Sequence, residues 1–181
     1  MILHPVLGVR CERDLLLHHL APIGLAAARQ TALLVDLDPS SPAYPGRLTV
    51  ADLVAEGVRR TDLGPVRKGV AVLGHGGIDL AQGLELVKTL SAGWPAVVIR
   101  SGSEPIPYPV IPVAPEFPAV WRQEQNIGVF QPVSRWSRPD GAAVRLPSLR
   151  RGQVAAMLDG RVRSGWRWVR AWRPVWEMAW D

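Results

Sequence analysis

Three short apolar runs, each stopped by turn residues and separated from the next by a helical pattern, constrain this chain more than any other feature. Thr31-Ala-Leu-Leu-Val-Asp-Leu37 ends in Asp38-Pro-Ser-Ser-Pro42, Gly69-Val-Ala-Val-Leu73 ends in Gly74-His-Gly-Gly77, and Pro95-Ala-Val-Val-Ile99 ends in Arg100-Ser-Gly-Ser103. Runs of this length with few polar positions read as strands covered on both faces. Val110–Val113 and Ile127–Phe130 are shorter runs of the same kind. Helical patterns fill the gaps: Glu12 to about Arg29, Val50 to Val58 behind a Thr49 cap, and Asp79 to Leu90, whose Leu80, Leu84 and Val87 share a face. Strands alternating with helices predict a doubly wound, mostly parallel α/β sheet in three layers, with right-handed crossovers.

At 181 residues the chain has room for one well-cored domain. We place it at residues 1–148, followed by a Trp/Arg-rich helical tail over 149–181. Six of the 17 prolines crowd between Pro105 and Pro118, which predicts a long loop or short edge strands there. The net charge of +5 and the arginines from Arg135 onward favour anionic partners. A single cysteine, Cys11, excludes an intramolecular disulfide and any zinc site built on cysteines. With no basic and apolar leader at Met1–Pro5 and no apolar run of membrane-spanning length, the expected location is the cytoplasm.

The run Leu33-Leu-Val-Asp-Leu-Asp-Pro39 resembles the second strand of the MinD/ParA family of P-loop ATPases, which carries a similar V-D-x-D-P sequence. Leu48-Thr-Val-Ala-Asp-Leu53 resembles that family's short following helix, Gly69–Gly77 its next strand and turn, and Arg145-Leu-Pro147 its late Leu-Pro element. Within the family the pilus-assembly and septum-site branch of CpaE-like proteins is nearest. The resemblance spans roughly Thr31 to Val113 and implies a P-loop NTPase-like fold. It does not imply ATPase activity, because a phosphate-binding loop needs glycines, a lysine and a Ser/Thr hydroxyl, and nothing before Leu33 supplies them. The corresponding stretch, Gly8-Val-Arg-Cys-Glu-Arg-Asp14, carries two acids where triphosphate would sit. Arg100 stands where the family places a metal-linked aspartate, and a guanidinium there repels Mg²⁺. No cofactor, bound metal or catalytic residue is therefore expected.

In a doubly wound sheet, ligands bind at the carboxyl ends of the strands. The residues expected there are Asp36, Asp38, Gly74, His75, Gly76, Gly77, Arg100 and Ser101. They form either a residual anion or nucleotide crevice, or only turns and caps: glycines permit a tight strand-to-helix turn, and Asp38-Pro-Ser-Ser is a capping sequence. Asp14 and His18, four apart, read as a surface pair, and Cys11 as a quiet, partly buried thiol. His75-Gly-Gly is no hydrolase oxyanion hole, since no G-x-S-x-G elbow accompanies it.

Five of the eight tryptophans lie in the last 16 residues. At helical spacing Trp168, Trp172, Trp176 and Trp180 share one face, with Arg163, Arg167 and Arg170 opposite and Pro174 breaking the run. Three uses fit this stripe: packing onto the chain's own sheet, docking on a protein partner, or lying on an anionic membrane at its inner face. Nucleic acid ranks below these, and homo-oligomerisation stays open. The resulting expectation is a non-catalytic scaffold or adaptor for a pilus, secretion, division or partition assembly, with a nucleotide-binding sensor or enzyme at the strand ends as the alternative.

Overall fold

A computed structural model describes residues 5–12, 14–29, 31–46, 48–57, 70–115, 128–132 and 144–180. Seven strands form one sheet: β1 (Val6–Arg10), β2 (Leu33–Asp36), β3 (Ala71–Leu73), β4 (Val97–Arg100), β5 (Val110–Pro115), β6 (Val129–Gln131) and β7 (Val144–Arg145). Their order is β3-β2-β4-β1-β5-β6-β7, and every pairing is parallel. The doubly wound α/β expectation holds at this level.

The helices are α1 (Leu15–Ala27), α2 (Val50–Glu56), α3 (Leu80–Ser91), α4 (Arg151–Leu158) and α5 (Arg167–Arg170), followed by a 3₁₀ segment over Arg173–Glu177. Strand alternation divides the apolar residues between two cores. Leu7, Val9, Leu34, Val98 and Ile111 face α1, α4 and α5, whereas Leu33, Val35, Val97 and Ile99 face α2 and α3. The chain runs from β1 outward to β2 and β3, then returns to insert β4 beside β1 and continues to the other edge. That reversal, with right-handed crossovers, puts α1 and α3 on opposite faces and opens the strand-end crevice between β1 and β4.

Local chemistry accounts for the helix starts. Asp14 Oδ1 accepts the Leu17 N–H, Asp79 Oδ1 accepts the Gln82 N–H, and Thr49 with Asp52 forms a reciprocal capping box. The expected strands at 31–37, 69–73, 95–99 and 110–113 appear with shifted ends; Gly69, Ile127, Val58 and Pro118 lie outside the described residues. The central strand β1 was not expected as a strand. Its apolar run is short and interrupted by Gly8, a residue poor in strand propensity, where a Cβ would press on the Ile106 and Val110 side chains.

The tail does not form one amphipathic helix. It turns at Gly160 (φ 73°), makes the single turn α5, and tightens to 3₁₀ at Arg173-Pro174. Trp168, Trp172 and Trp176 are at most 1% exposed and belong to the same core as α1. Gly24 of α1 admits them: a Cβ there would lie 2.6 Å from Trp172 Nε1 and against the Trp168 ring. Trp168 donates to Gln131 Oε1 at 2.6 Å, and Trp176 to the Leu25 carbonyl at 3.1 Å.

Candidate functional site

The crevice at the ends of β1, β2 and β4 is built around Arg100. This residue closes β4 and is wholly buried, as is Asp36 at the end of β2. Arg100 Nε and Nη2 donate to the two Asp36 oxygens at 2.8 and 2.6 Å, a forked, charge-assisted pair. Nη1 donates to the Pro42 carbonyl at 2.9 Å and approaches His19 Nδ1 at 3.2 Å. The guanidinium lies 4.3 Å from the centre of the buried Tyr44 ring, whose hydroxyl donates to the His19 carbonyl. Burial of a charge is tolerated only when it is paired and hydrogen-bonded, and here every face of the guanidinium is occupied.

Beside this cluster lies a second one. Asp38 accepts the Ser40 N–H at 3.0 Å, the Ser40 and Ser41 hydroxyls, and His18 Nε2 at 2.9 Å. His18 Nδ1 in turn accepts the Cys11 N–H at 3.0 Å. A nitrogen that accepts a backbone N–H carries no proton, so His18 is the neutral tautomer with its hydrogen on Nε2. Burial lowers the His18 pKa against the opposing pull of Asp38. His19 falls to about 4 through burial and the adjacent Arg100 charge. Burial would raise Asp38, but the donors from Ser40, Ser41 and His18 outweigh it and hold the carboxyl below its usual range.

Of the expected site residues, the structure brings Asp36, Asp38, Arg100 and Ser101 together, all buried. They are satisfied by one another rather than open to a ligand. Ser101 donates its N–H to the Val9 carbonyl, tying β4 to β1. Asp38 caps its own turn, as its Pro-Ser-Ser context predicts. Gly74–Gly77 follow β3, where His75 lines the same groove as Asp38. Gly74 exchanges backbone hydrogen bonds with Leu48 and Val50, and the Gly77 N–H is taken by His75 Nδ1. Gly76 and Gly77, at φ 73° and 81°, make the turn that only glycine adopts readily.

One sequence expectation is corrected, and of the three uses left open for the tryptophans the structure takes the first, packing on the chain's own core. Asp14 and His18 are not a surface pair: Asp14 caps α1, and His18 turns inward to Asp38. Trp168, Trp172 and Trp176 cannot form a contact stripe, because their faces are spent in the core, while Trp180 is half-buried against Gly128. Arg163, Arg167 and Arg170 are exposed. Sequence reasoning misplaced His18 and missed His19 and Tyr44. The adjacent histidines within the apolar stretch of α1 were the available signal; Tyr44 offered none.

An open groove of about 490 Å³ remains next to the filled crevice, between the β2 and β4 ends and the start of α3. It is lined by Leu37, Ile78, Leu80 and Ile106, with carboxylates from Asp38, Asp79 and Glu104, the imidazole of His75 and no lysine or arginine. Three acids against a single histidine oppose a phosphate-bearing ligand. Among the described residues no three His, Cys, Asp or Glu side chains are grouped to hold a metal ion, and no helix is long and apolar enough to cross a membrane. Compared with protein-family models, curated proteins and solved structures, the chain matches none.

Proposed function

We propose that this chain is a non-catalytic scaffold or adaptor, a degenerate relative of the MinD/ParA-type ATPases that acts through its surface on a protein partner rather than through nucleotide turnover. The observation that carries this reading is the forked Arg100–Asp36 pair, which fills the strand-end crevice with the protein's own charges. Nucleotide chemistry at such a crevice needs backbone N–H groups facing phosphate and acids facing a metal. Here the Cys11 N–H is bonded to His18, Asp36 to Arg100, and Asp38 to its serines and histidine. The parallel order with β1 central and a reversal at β4 supports the family resemblance drawn from Leu33–Pro39.

A pilus, secretion, division or partition assembly is the setting this reading implies, with cytoplasmic location and attachment to other components by contact. Isothermal titration of the full chain with ATP and Mg²⁺, ADP and cyclic dinucleotides tests it. No heat and no phosphate release are expected. Saturable micromolar binding that is lost in Asp38→Asn would refute the reading and favour a nucleotide sensor.

A further inference from the structure

From the tail's packing we infer that the outer surface of α5 and its flanking turns is a docking ridge for an acidic, amphipathic segment of a protein partner. The inference rests on the adaptor reading and supplies the partner's chemistry. Residues 150–181 hold seven arginines against three carboxylates, four of the five net positive charges of the whole chain. All seven arginines are exposed. Arg161 pairs with Asp159 at 2.7 Å, whereas Arg163, Arg167, Arg170 and Arg173 meet no carboxylate among the described residues.

Tertiary packing creates this ridge. Because Trp168, Val169, Trp172, Val175 and Trp176 are drawn into the core, the intervening positions 163, 167, 170 and 173 are forced outward. Arg167 and Arg170, three apart on α5, stand as neighbours, with Arg163 before the turn that leads into it and Arg173 opening the 3₁₀ segment that follows. Four uncompensated guanidinium groups on one short stretch repel one another and attract an anionic surface. Arginine forks pair with carboxylates in two-point geometry, which lysine does not offer.

Charge alone would suit a phosphate backbone or an anionic bilayer as well. The segment also presents apolar surface, however: Trp166 and Met178, which cap its two ends, are half-buried, and Leu158 at the end of α4 is 44% exposed. Arginine mixed with accessible aromatic and aliphatic groups is the composition of protein-binding hot spots. A sugar-phosphate backbone leaves those apolar groups unmatched. A membrane would require a continuous apolar face to insert, and the Trp168, Trp172 and Trp176 side chains that would form it are buried in the core.

Fluorescence anisotropy on the full chain tests the ridge with four labelled probes: a synthetic peptide with glutamates and Leu/Phe anchors at helical spacing, an oligo-glutamate of equal charge, a short duplex DNA, and phosphatidylglycerol vesicles. The amphipathic peptide is expected to bind tightest, to weaken with added salt, and to lose about tenfold or more in affinity when Arg163, Arg167, Arg170 and Arg173 are changed together to glutamine. These four side chains are solvent-facing, so an unchanged melting temperature confirms that the variant is folded. Absence of peptide binding, equal binding by the glutamine variant, or DNA or vesicle binding as tight as the peptide's overturns the proposal. Failure here with no nucleotide heat removes the ridge and leaves the non-catalytic reading standing. Nucleotide binding with intact peptide binding does the reverse.

Discussion

Replacing Arg100 by methionine removes a charge that has no exposed surface, and the cost follows from what is left behind. Asp36 would lose both forked donors and keep one hydrogen bond, from the Asp38 N–H at 3.1 Å. His19 Nδ1 and the Pro42 carbonyl would lose their donor as well. Breaking one side of a buried ion pair costs about 3–5 kcal/mol, a large share of the roughly 5–15 kcal/mol that holds a domain together. For a chain of this length that corresponds to a fall of roughly 6–20 °C in melting temperature. The converse change, Asp36→Leu, strands the guanidinium and costs a similar amount. The double variant Asp36→Leu/Arg100→Met has no orphaned charge and is expected within about 2 kcal/mol of the parent, since apolar replacement of a buried pair is often near neutral. Urea unfolding followed by tryptophan emission gives the three free-energy differences, and the cycle gives the coupling. A single Arg100→Met variant costing under about 1 kcal/mol, or additive single variants, would refute the claim that this pair seals the crevice as a unit.

Other outcomes follow from the same structure. His19 has a folded pKa of about 4 against 6.5 when unfolded, so the unfolded chain binds more protons between those values. Its contribution is fully present above pH 6.5 and declines as pH falls toward 4, by up to about 3 kcal/mol. His18 acts in the same direction, and urea midpoints at neutral and mildly acidic pH should differ, with the acid dependence reduced in His19→Gln. Trp172→Ala should cost about 3–5 kcal/mol because it empties a fully buried site; a variant with unchanged stability would place the tail outside the core. Gly24→Val should unfold the chain or displace the tail, seen as a red shift of tryptophan emission, since its side chain would enter the space of Trp168 and Trp172. Thr49→Ala removes the α2 capping box and should cost about 1 kcal/mol by thermal melting.

Local signals made much of the framework readable from the residues alone. Apolar runs at Leu33–Asp36, Ala71–Leu73 and Val97–Arg100 announced buried parallel strands, and the caps at Thr49 and Asp79 marked two helix starts. These features depend on neighbours a few positions away, so periodicity and side-chain chemistry suffice to find them. β1 escaped because Gly8 breaks its short apolar run and its strand character comes from pairing with β4 and β5, far along the chain.

The site divided along the same line. Sequence determined that Asp36, Asp38 and Arg100 stand at strand ends and that a phosphate-binding loop is missing. Only the tertiary structure decided that Arg100 folds onto Asp36 across 64 residues, that His18 and His19 complete the cluster, and that the crevice is thereby filled. The tail gives the other contrast. Its spacing placed tryptophans opposite arginines, and that separation survives in the fold. An amphipathic pattern does not say what its apolar side meets. Gly24, about 145 residues earlier in the chain, leaves room on α1 for two indoles, and burying that area against the chain's own helix turned the tryptophans inward and left the arginines facing solvent.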